Sequence, residues 1–410
     1  MPVWRDVVRP LIADDKLVVI GVTQEQHPDR CRLFAQWKDI DWPILHDPIN
    51  AVGVEMIPIA VSIDEHGIVR SINPSPRYFE VQFVNRSFEP PANVRPARVC
   101  KLPDPQAART VAKQAGSAAA WRRLGNALLL DACATREGTA DDSIGQAIRA
   151  YERALDIEPK DAAARFRLGV AYRMRYDSAA RRPRDFQQAV DTWRAALKVN
   201  LNQYIYRRRI QQYGPRLDKP YPFYDWIETA RREVAARGET PVELAAEPVG
   251  AERAGTAERF SSEDAAPPDG DPDGKVKRDD KGYIQFDPVV VRATGKRSRR
   301  VVQVHLTFRP NPNNGGHWNN EAGPLRIWLQ APEGIRLSRA FLEFAPPPQA
   351  VTNEPRTLSV EVELPDGGAN DPASPPISIA GYALYNVCEG RHGQCLFRRQ
   401  DLELQLGWDR

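Results

Sequence analysis

The residues of this chain best suited to chemistry are two cysteines near its carboxyl end, Cys388 and Cys395. Strand-like runs flank them, so the pair could close as a disulfide across a β-hairpin, which brings Cα atoms within the roughly 7 Å that the bond requires. The loop between them contains Arg391 and His392, and positive charge stabilises the thiolate that performs thiol–disulfide exchange. The segment therefore indicates a redox pair whose acidity these two loop residues tune, with a structural staple or two unrelated thiols as the alternatives.

Other chemistry finds less support in the sequence. Cys388, His392 and Cys395 could together bind zinc, but no fourth ligand is evident and the surroundings are basic, so we expect no metal. Arg398 and Arg399 follow the second cysteine and favour Cys395 as the more acidic thiol. No glycine-rich phosphate loop, Ser/His/Asp signature or paired carboxylates stand out, so hydrolase and kinase functions are unsupported and no cofactor is expected.

The cysteine pair lies in a region, residues 283–410, whose pattern predicts a domain built of β-strands. Apolar and polar residues alternate in short runs, most clearly at 301–308, 358–364 and 402–406. Turns rich in proline, glycine and asparagine separate these runs, which is typical of a β-sandwich. We therefore expect a β-sandwich to carry the cysteine hairpin.

Several motifs in this region resemble the amino-terminal domain of the disulfide-interchange protein DsbD. They are His-Trp-Asn-Asn at 317–320, the strand-like run at 325–329 with Ala-Pro-Glu-Gly after it at 331–334, and Tyr385 three residues before Cys388. The resemblance implies an immunoglobulin-like sandwich that relays electrons through the Cys388–Cys395 disulfide, to or from protein thiols or disulfides. The family's membrane transporter does not follow the region here, so the usual electron donor is expected to be encoded elsewhere.

Residues 1–88 alternate helix and strand signals. A buried-strand run at 16–22 is followed by a helix, then by a strand at 57–64 that a tight turn at 65–67 joins to a hairpin partner at 68–72. The order resembles the thioredoxin fold of the redoxin and peroxiredoxin (AhpC/TSA) group, from just after its catalytic motif onward. In that resemblance Pro58 occupies the family's cis-proline position, which faces the active site.

This thioredoxin-like region is expected to be incomplete. The family's first core strand and its catalytic cysteine motif have no counterpart among residues 1–88, so these residues contain no thioredoxin dithiol. In the family's strand order the missing strand would lie between the strands at 17–22 and 58–64, whose unpaired backbone groups would each cost about 1–3 kcal/mol if buried. An upstream start, a strand from elsewhere and a degenerate domain are the alternatives, and we favour an upstream start.

Residues 111–237 are predicted to form a helical repeat domain. Two units between 118 and 202 resemble the tetratricopeptide (TPR) repeat, with small residues where paired helices approach and aromatic residues between repeats. Such modules dock protein partners, which is what the resemblance implies here. The positions that carry the pattern are Trp121, Leu124, Gly125, Leu128, Ala147, Tyr151, Ala154 and Pro159 in the first unit, and Leu168, Gly169, Tyr172, Ala189, Trp193 and Ala196 in the second.

A cluster of arginines and aromatic residues follows the second repeat, with Tyr206, Arg207, Arg208 and Arg209 at its centre. Interleaved side chains of these types could bind a protein partner through an acidic peptide, or stack on nucleotide bases. The aromatic rings could equally pack inward while the arginines extend outward. We favour the packing interpretation and keep the four residues as candidates for partner binding.

The chain as a whole is predicted to be a multidomain protein of mixed class: α/β, then α, then β. Its 410 residues carry a net charge of +3 from 57 basic and 54 acidic residues, which argues for neither nucleic-acid nor membrane binding. A proline-rich connector at 89–110 and a linker at 238–282, rich in charge and proline and expected to be disordered, separate the three regions.

The sequence also bears on location and function. No apolar run approaches the roughly 20 residues that span a bilayer, and no signal peptide opens the chain, so the product is expected in the cytoplasm as written, or in the periplasm if an upstream segment is missing. The hypothesis favoured here is a thiol–disulfide oxidoreductase or antioxidant protein whose repeat module docks a protein partner. The alternative is a non-enzymatic repeat adaptor with an inactive thioredoxin-like region and a structural sandwich.

Overall fold

The structure, a computed structural model, describes residues 2–90, 92, 102–134, 140–214, 223–248, 252, 270–292, 301–365, 377–389 and 394–406. It is a mixed α and β protein that contains several antiparallel sheets. The chain divides into two compact units, each assembled from separate segments. The first comprises Met1–Ala180, Thr192–Tyr206 and Ile227–Ala246; the second comprises Arg181–Asp191, Arg207–Trp226 and Glu247–Arg410.

The amino-terminal part of the first unit contains two small sheets. Strands β1 (Gly21–Thr23) and β2 (Ile44–His46) pair in parallel, and strands β3 (Val61–Ile63) and β4 (Val69–Ile72) pair antiparallel. Within the described residues these are separate two-stranded sheets, so β1 and β3 each pair with a single neighbour. Helices α1 (Pro2–Ala13) and α2 (Pro28–Trp37) accompany them.

Both small sheets expose apolar side chains, and the β3–β4 sheet buries a polar one. On β3 the hydroxyl of Ser62 is buried and lies 2.9 Å from the hydroxyl of Ser71 on β4. Val22, Leu45 and Ile63 each expose more than half of their surface. An apolar face left in water forgoes the burial that normally stabilises a strand pair.

The turn between β3 and β4 forms as predicted, because one carboxylate organises it. Asp64 accepts hydrogen bonds from the backbone nitrogens of His66 and Ile68, both at 2.9 Å, and from Arg70 Nε at 2.6 Å. Gly67 has a φ of 77°, in the left-handed region that favours glycine. These bonds hold the turn of the hairpin.

A run of helices follows. Its members are α3 (Pro105–Ala115), α4 (Ala118–Ala134), α5 (Ala140–Ile157), α6 (Ala162–Tyr176), α7 (Asp185–Val199), α8 (Tyr204–Gln211) and α9 (Trp226–Ala236). Helices α4 and α5 meet where Gly125 faces the ring of Tyr151, and a Cβ atom on Gly125 would lie 2.6 Å from that ring. Only glycine permits this approach, as the pattern of small residues predicts.

Side-chain caps and buried aromatic rings tie these helices together. Asp161 begins α6 by accepting a hydrogen bond from Ala164 N at 2.9 Å, and it also binds the guanidinium of Arg122 on α4. Trp193 is fully buried and donates to the carbonyl of Phe166 at 3.2 Å. These contacts join α4, α6 and α7. None of the helices in the described ranges combines the length and apolarity needed to cross a bilayer.

The β region lies in the second unit and contains two antiparallel sheets. One has the order β5–β6–β12–β9; the other has the order β10–β8–β13–β7–β11, with β14 pairing with β13. Their bounds are β5 Ile284–Arg292, β6 Val301–Pro310, β7 Gly316–Asn319, β8 Leu325–Gln330, β9 Arg336–Leu337, β10 Phe341–Phe344, β11 Val351–Thr352, β12 Arg356–Glu363, β13 Ile377–Glu389 and β14 Cys395–Leu406. Side chains from both sheets form one apolar core.

Strand β6 departs from the alternation that the sequence shows. Its apolar residues face the core as predicted, but His305 on the other face is also fully buried. The ring of Phe186 stacks over His305 at 6.0 Å between centroids, and His305 Nε2 lies 2.6 Å from the carbonyl oxygen of Tyr213. Phe186 and Tyr213 therefore cover His305 on this face, although we expected both residues to belong to a separate helical domain.

The end of the predicted linker is ordered. Asp271 is buried and accepts hydrogen bonds from the backbone nitrogens of Lys275 at 2.7 Å and Val276 at 3.0 Å. Asp279 N donates to the carbonyl of Arg399 on β14 at 2.9 Å. Residues 270–282 thus line the edge of β14 rather than forming a disordered tether, because backbone pairing and the Asp271 turn offset the cost of ordering a polar segment.

Candidate functional site

The two carboxyl-terminal cysteines form a disulfide across a hairpin, as the sequence predicts. Cys388 on β13 and Cys395 on β14 are direct partners in the antiparallel register, with their Cα atoms 4.1 Å apart. Cys388 is 6% exposed, whereas Cys395 is exposed. A visiting nucleophile therefore reaches one sulfur of the bond much more readily than the other.

The alternation of β13 decides which face carries the disulfide. Tyr385 and Val387 point into the core and are fully buried, so Cys388 points to the opposite, outer face. Tyr385 packs edge-on against Trp318 of β7 with ring centroids 5.9 Å apart. The bond therefore lies on the outer surface of a sheet whose inner surface is rigidly packed.

Tyr385 also anchors this strand through its hydroxyl. That hydroxyl donates to Asp279 Oδ2 at 2.8 Å, and the same carboxylate accepts from the backbone nitrogens of Tyr283 and Ile284 at 3.1 and 3.0 Å. Burial, together with the charge of Asp279, raises the pKa of Tyr385 well above its ordinary value. The phenol stays protonated at neutral pH, so its hydroxyl acts as a hydrogen-bond donor that holds β13 in place.

A histidine occupies the other side of Cys388. Strand β7 pairs with β13 so that His317 stands directly opposite Cys388, and the three residues His317, Cys388 and Cys395 form one row across three strands. The Nδ1 atom of His317 is hydrogen-bonded to Oδ1 of Asn353, which follows β11. The sequence showed His317 only as part of a family motif, since its place beside Cys388 depends on the pairing of distant strands.

The arginines after Cys395 do not approach the disulfide. Arg398 is the register partner of Tyr385 and therefore lies on the opposite face of the sheet. Arg399 shares the outer face but stands four residues, or about 13 Å, along the strand. It binds Asp271 at 3.0 Å and Asp401 at 2.7 Å. The expectation that these arginines make Cys395 the more acidic thiol therefore has no support in the geometry.

Another charged pair lies at the open end of the hairpin. Lys281 Nζ is 3.0 Å from Glu389 Oε1. The hydrogen bond between them raises the pKa of Lys281 and lowers that of Glu389. The two charges neutralise one another beside the cysteines, and both side chains are exposed.

The face around the disulfide is also partly apolar. Phe397 is 48% exposed and follows Cys395 by two residues, so it lies on the same face. Val351 is 53% exposed and pairs with Asn319, two residues beyond His317 on that face. A partner that reaches Cys395 would therefore meet apolar as well as polar surface.

The remaining predicted site residues lie elsewhere. Arg391 and His392 fall outside the described residues. The Ile57–Pro58 peptide bond in the first unit is cis. Burial raises the pKa of the Cys31 thiol.

The candidate partner-binding cluster is largely taken up by packing. Tyr206 is 6% exposed and stacks on Phe166 at 4.6 Å between centroids, and Arg209 is 3% exposed. The guanidinium of Arg208 lies 4.2 Å from the ring centre of Phe223, and Arg207 is half-buried. Tyr206 and Arg209 therefore present little surface to a partner, in agreement with the packing interpretation.

The bonded cysteines do not fit the zinc alternative. In the part of the chain that the structure describes, no group of three His, Cys, Asp or Glu side chains could hold a metal ion. Cys388 and Cys395 are bonded to one another, and a disulfide sulfur lacks the thiolate charge that zinc requires.

Comparison with known proteins identifies no relative: neither a family model nor a curated protein matches the chain.

Proposed function

We propose that this protein is a thiol–disulfide redox protein that exchanges electrons with protein thiols or disulfides through Cys388 and Cys395. The observation that carries the proposal is the unequal exposure of one bonded pair: Cys395 faces solvent and Cys388 is 6% exposed. A pair of this kind has one sulfur that a partner can attack and a second that leaves within the protein. The resemblance to the DsbD amino-terminal domain points to the same use.

The exchange is balanced in two steps. A partner thiolate attacks Cys395 Sγ, so a new disulfide joins the partner to Cys395 while the Cys388–Cys395 bond breaks and Cys388 leaves as a thiolate. The partner's second thiolate then attacks the partner sulfur of that mixed disulfide and releases the Cys395 thiolate. The partner dithiol is oxidised, the protein's disulfide is reduced, and the two thiolates take protons from the surroundings.

The other regions fit a supporting role in the same proposal. The helical region, similar to tetratricopeptide repeats, docks a protein partner, and the amino-terminal region is a thioredoxin-like (redoxin) domain without its own dithiol. The close contact of Gly125 with Tyr151 supports the repeat assignment. The second candidate function, a non-enzymatic adaptor with a structural disulfide, draws support from the burial of Cys388.

Electron transfer from a dithiol protein separates the two functions. The oxidised full-length chain is mixed with reduced thioredoxin as a probe dithiol, and thiols are trapped and assigned by mass spectrometry. The redox function predicts that the Cys388–Cys395 disulfide is reduced while an equal amount of thioredoxin is oxidised. The adaptor function predicts that both proteins keep their starting state, while dithiothreitol in denaturant still reduces the bond.

Single-cysteine variants test the order of attack. C388S leaves the exposed Cys395 thiol, which is expected to form a mixed disulfide with glutathione disulfide at least about tenfold faster than the buried Cys388 thiol of C395S, since access limits exchange. Equal rates in the two variants would contradict the assignment of Cys395 as the attacked sulfur.

A further inference from the structure

We propose that His317 is the acid–base partner of the Cys388 sulfur, and that Asn353 positions its imidazole. The inference deepens the proposed redox function, on which it rests, by assigning the group that handles the proton of the leaving thiolate. The residues suggested by the sequence, Arg391 and His392, are nearer to the cysteines along the chain. Strand pairing instead brings His317 to Cys388 from a distant part of the sequence.

The register of three strands places the histidine beside the correct sulfur. His317 on β7 and Cys395 on β14 are both direct partners of Cys388 on β13, one on each side. Directly opposed residues of antiparallel strands project from the same face with Cβ atoms about 4.5–5.5 Å apart. The imidazole therefore neighbours the buried sulfur, and the exposed sulfur stands on the far side of Cys388.

The hydrogen bond to Asn353 determines which nitrogen of the ring can act. An amide oxygen only accepts, so His317 Nδ1 carries a hydrogen and donates it to Asn353 Oδ1. In the neutral ring Nε2 is then the basic nitrogen. Asn353 follows β11, which pairs with β7, so the amide is held on the sheet that carries the histidine. This second partner fixes both tautomer and ring orientation.

Cys388 needs such a neighbour because its sulfur is buried. When a partner attacks Cys395, negative charge develops on a sulfur that water scarcely reaches, and burial alone disfavours a thiolate. Among the described charged groups nearby, Lys281 is bound to Glu389 at 3.0 Å and Arg399 is bound to Asp271 and Asp401. Glu354, beside Asn353, accepts from Thr352 at 2.9 Å and lies 3.6 Å from Arg356.

The proton balance follows from this arrangement. As the partner sulfur bonds to Cys395, the Cys388–Cys395 bond breaks and its electron pair stays on Cys388. A protonated His317 stabilises that thiolate or transfers its Nε2 proton to it, which leaves a neutral imidazole. In the reverse direction neutral His317 accepts the proton from the Cys388 thiol, and the resulting thiolate attacks Cys395 Sγ in the mixed disulfide and expels the partner thiolate.

The test measures the acidity of Cys388 directly and requires no partner protein. In full-length C395S, which stands for the state after attack, the far-ultraviolet absorbance of the thiolate is followed against pH, and the same titration of C388S/C395S is subtracted. The Cys388 midpoint is expected at least about one pH unit below the ordinary cysteine value of about 8.5. Adding H317Q is expected to raise that midpoint by about one unit or more.

Two further variants separate the effect of the His317 imidazole from other causes of a shifted midpoint. N353A retains the imidazole but removes its acceptor, so it is expected to shift the midpoint in the same direction as H317Q but by less. H66Q, which removes an imidazole in the first unit, is the control and is expected to leave the midpoint unchanged. An unchanged midpoint in H317Q, or an equal shift in H66Q, would overturn the proposal, and near-ultraviolet circular dichroism of the oxidised variants establishes that the fold is retained.

The titration of Cys388 and the electron-transfer assay with thioredoxin can fail independently of one another. If H317Q leaves the acidity of Cys388 unchanged while thioredoxin still reduces the disulfide, the redox function stands and the role of His317 is wrong. If thioredoxin fails to reduce the wild-type disulfide but H317Q still raises the titration midpoint of Cys388, the interaction between the thiol and the imidazole is present and the proposed electron transfer is wrong.

Discussion

The hydroxyl of Tyr385 donates to the carboxylate of Asp279 at 2.8 Å, which joins the strand that carries Cys388 to the segment that precedes β5. Tyr385 is fully buried, and Asp279 also caps the backbone of Tyr283 and Ile284. The hydroxyl of Tyr385 therefore helps to hold the hairpin that carries the disulfide. This bond connects the disulfide hairpin to residues 270–282 of the predicted linker.

Replacing Tyr385 by Phe should loosen this attachment. The variant keeps the ring but leaves a carboxylate oxygen of Asp279 without its phenol donor, so the free energy of unfolding of the β region is expected to fall by about 1–3 kcal/mol. Urea denaturation of the oxidised protein, followed by tryptophan fluorescence, measures the change. Y78F, which removes the hydroxyl of a tyrosine that is 49% exposed, serves as the control and should change stability little. Equal losses in the two variants would contradict the anchoring role.

The contact between α4 and α5 predicts opposite effects for two glycines. G125A places a Cβ atom 2.6 Å from the buried Tyr151 ring and should destabilise the helical region by about 1–3 kcal/mol. G145A on α5 meets only the flexible end of Arg149 at 3.7 Å and should stabilise the helix by up to about 1 kcal/mol. Thermal unfolding followed by circular dichroism compares them. A stabilising G125A would show that the helices do not approach so closely.

Acid should weaken the attachment of residues 270–282 to β14. Burial of Asp271 alone would raise its pKa, but hydrogen bonds from Val276 N, Arg399 and Lys275 N outweigh it and the pKa is lowered. A carboxyl whose pKa is lower in the folded state adds stability above its unfolded pKa of about 3.9, and that stability is lost as pH falls through the folded value.

The variant D271N tests this dependence. Its denaturation midpoint should lie below that of the wild type at pH 6, and the difference should shrink as pH falls below about 4, since the wild-type carboxyl then also becomes neutral. Urea midpoints between pH 6 and pH 3 provide the comparison. Two parallel curves would mean that Asp271 contributes no pH-dependent stability.

The exposed apolar faces of the small sheets should bind a hydrophobic dye. Val22 and Ile63 are 52% and 56% exposed, in a region with several other exposed aliphatic side chains. Because exposed apolar surface attracts such probes, V22K/I63K is expected to reduce the fluorescence of bound anilinonaphthalene sulfonate. I157K, at an exposed apolar position on α5, is the control and should have a smaller effect. Equal reductions would indicate scattered binding instead of a surface on the sheets.

The parts of this structure that local pattern determines were predictable from the sequence. The alternating residues on either side of Cys388 and Cys395, with a short loop between them, predict the hairpin in which the two cysteines pair. The turn at Asp64–Gly67 is also predictable, because an aspartate that accepts backbone hydrogen bonds and a glycine at a positive φ are typical of tight turns. The other contacts depend on distant segments. Nothing local shows that His317 pairs with Cys388, or that Phe186 and Tyr213 cover His305. The order of residues 270–282 likewise follows from the edge of β14, which their own composition does not reveal.

The reversibility of the Cys388–Cys395 bond is the central claim, and a reduction potential tests it most directly. The full-length protein is equilibrated in a series of thiol–disulfide buffers, thiols are trapped by acid and alkylation, and the peptides containing the two cysteines are quantified by mass spectrometry. The account predicts a potential between about −270 and −180 mV, the range of cellular exchange proteins. A bond that stays oxidised below about −300 mV, as structural disulfides do, would contradict it.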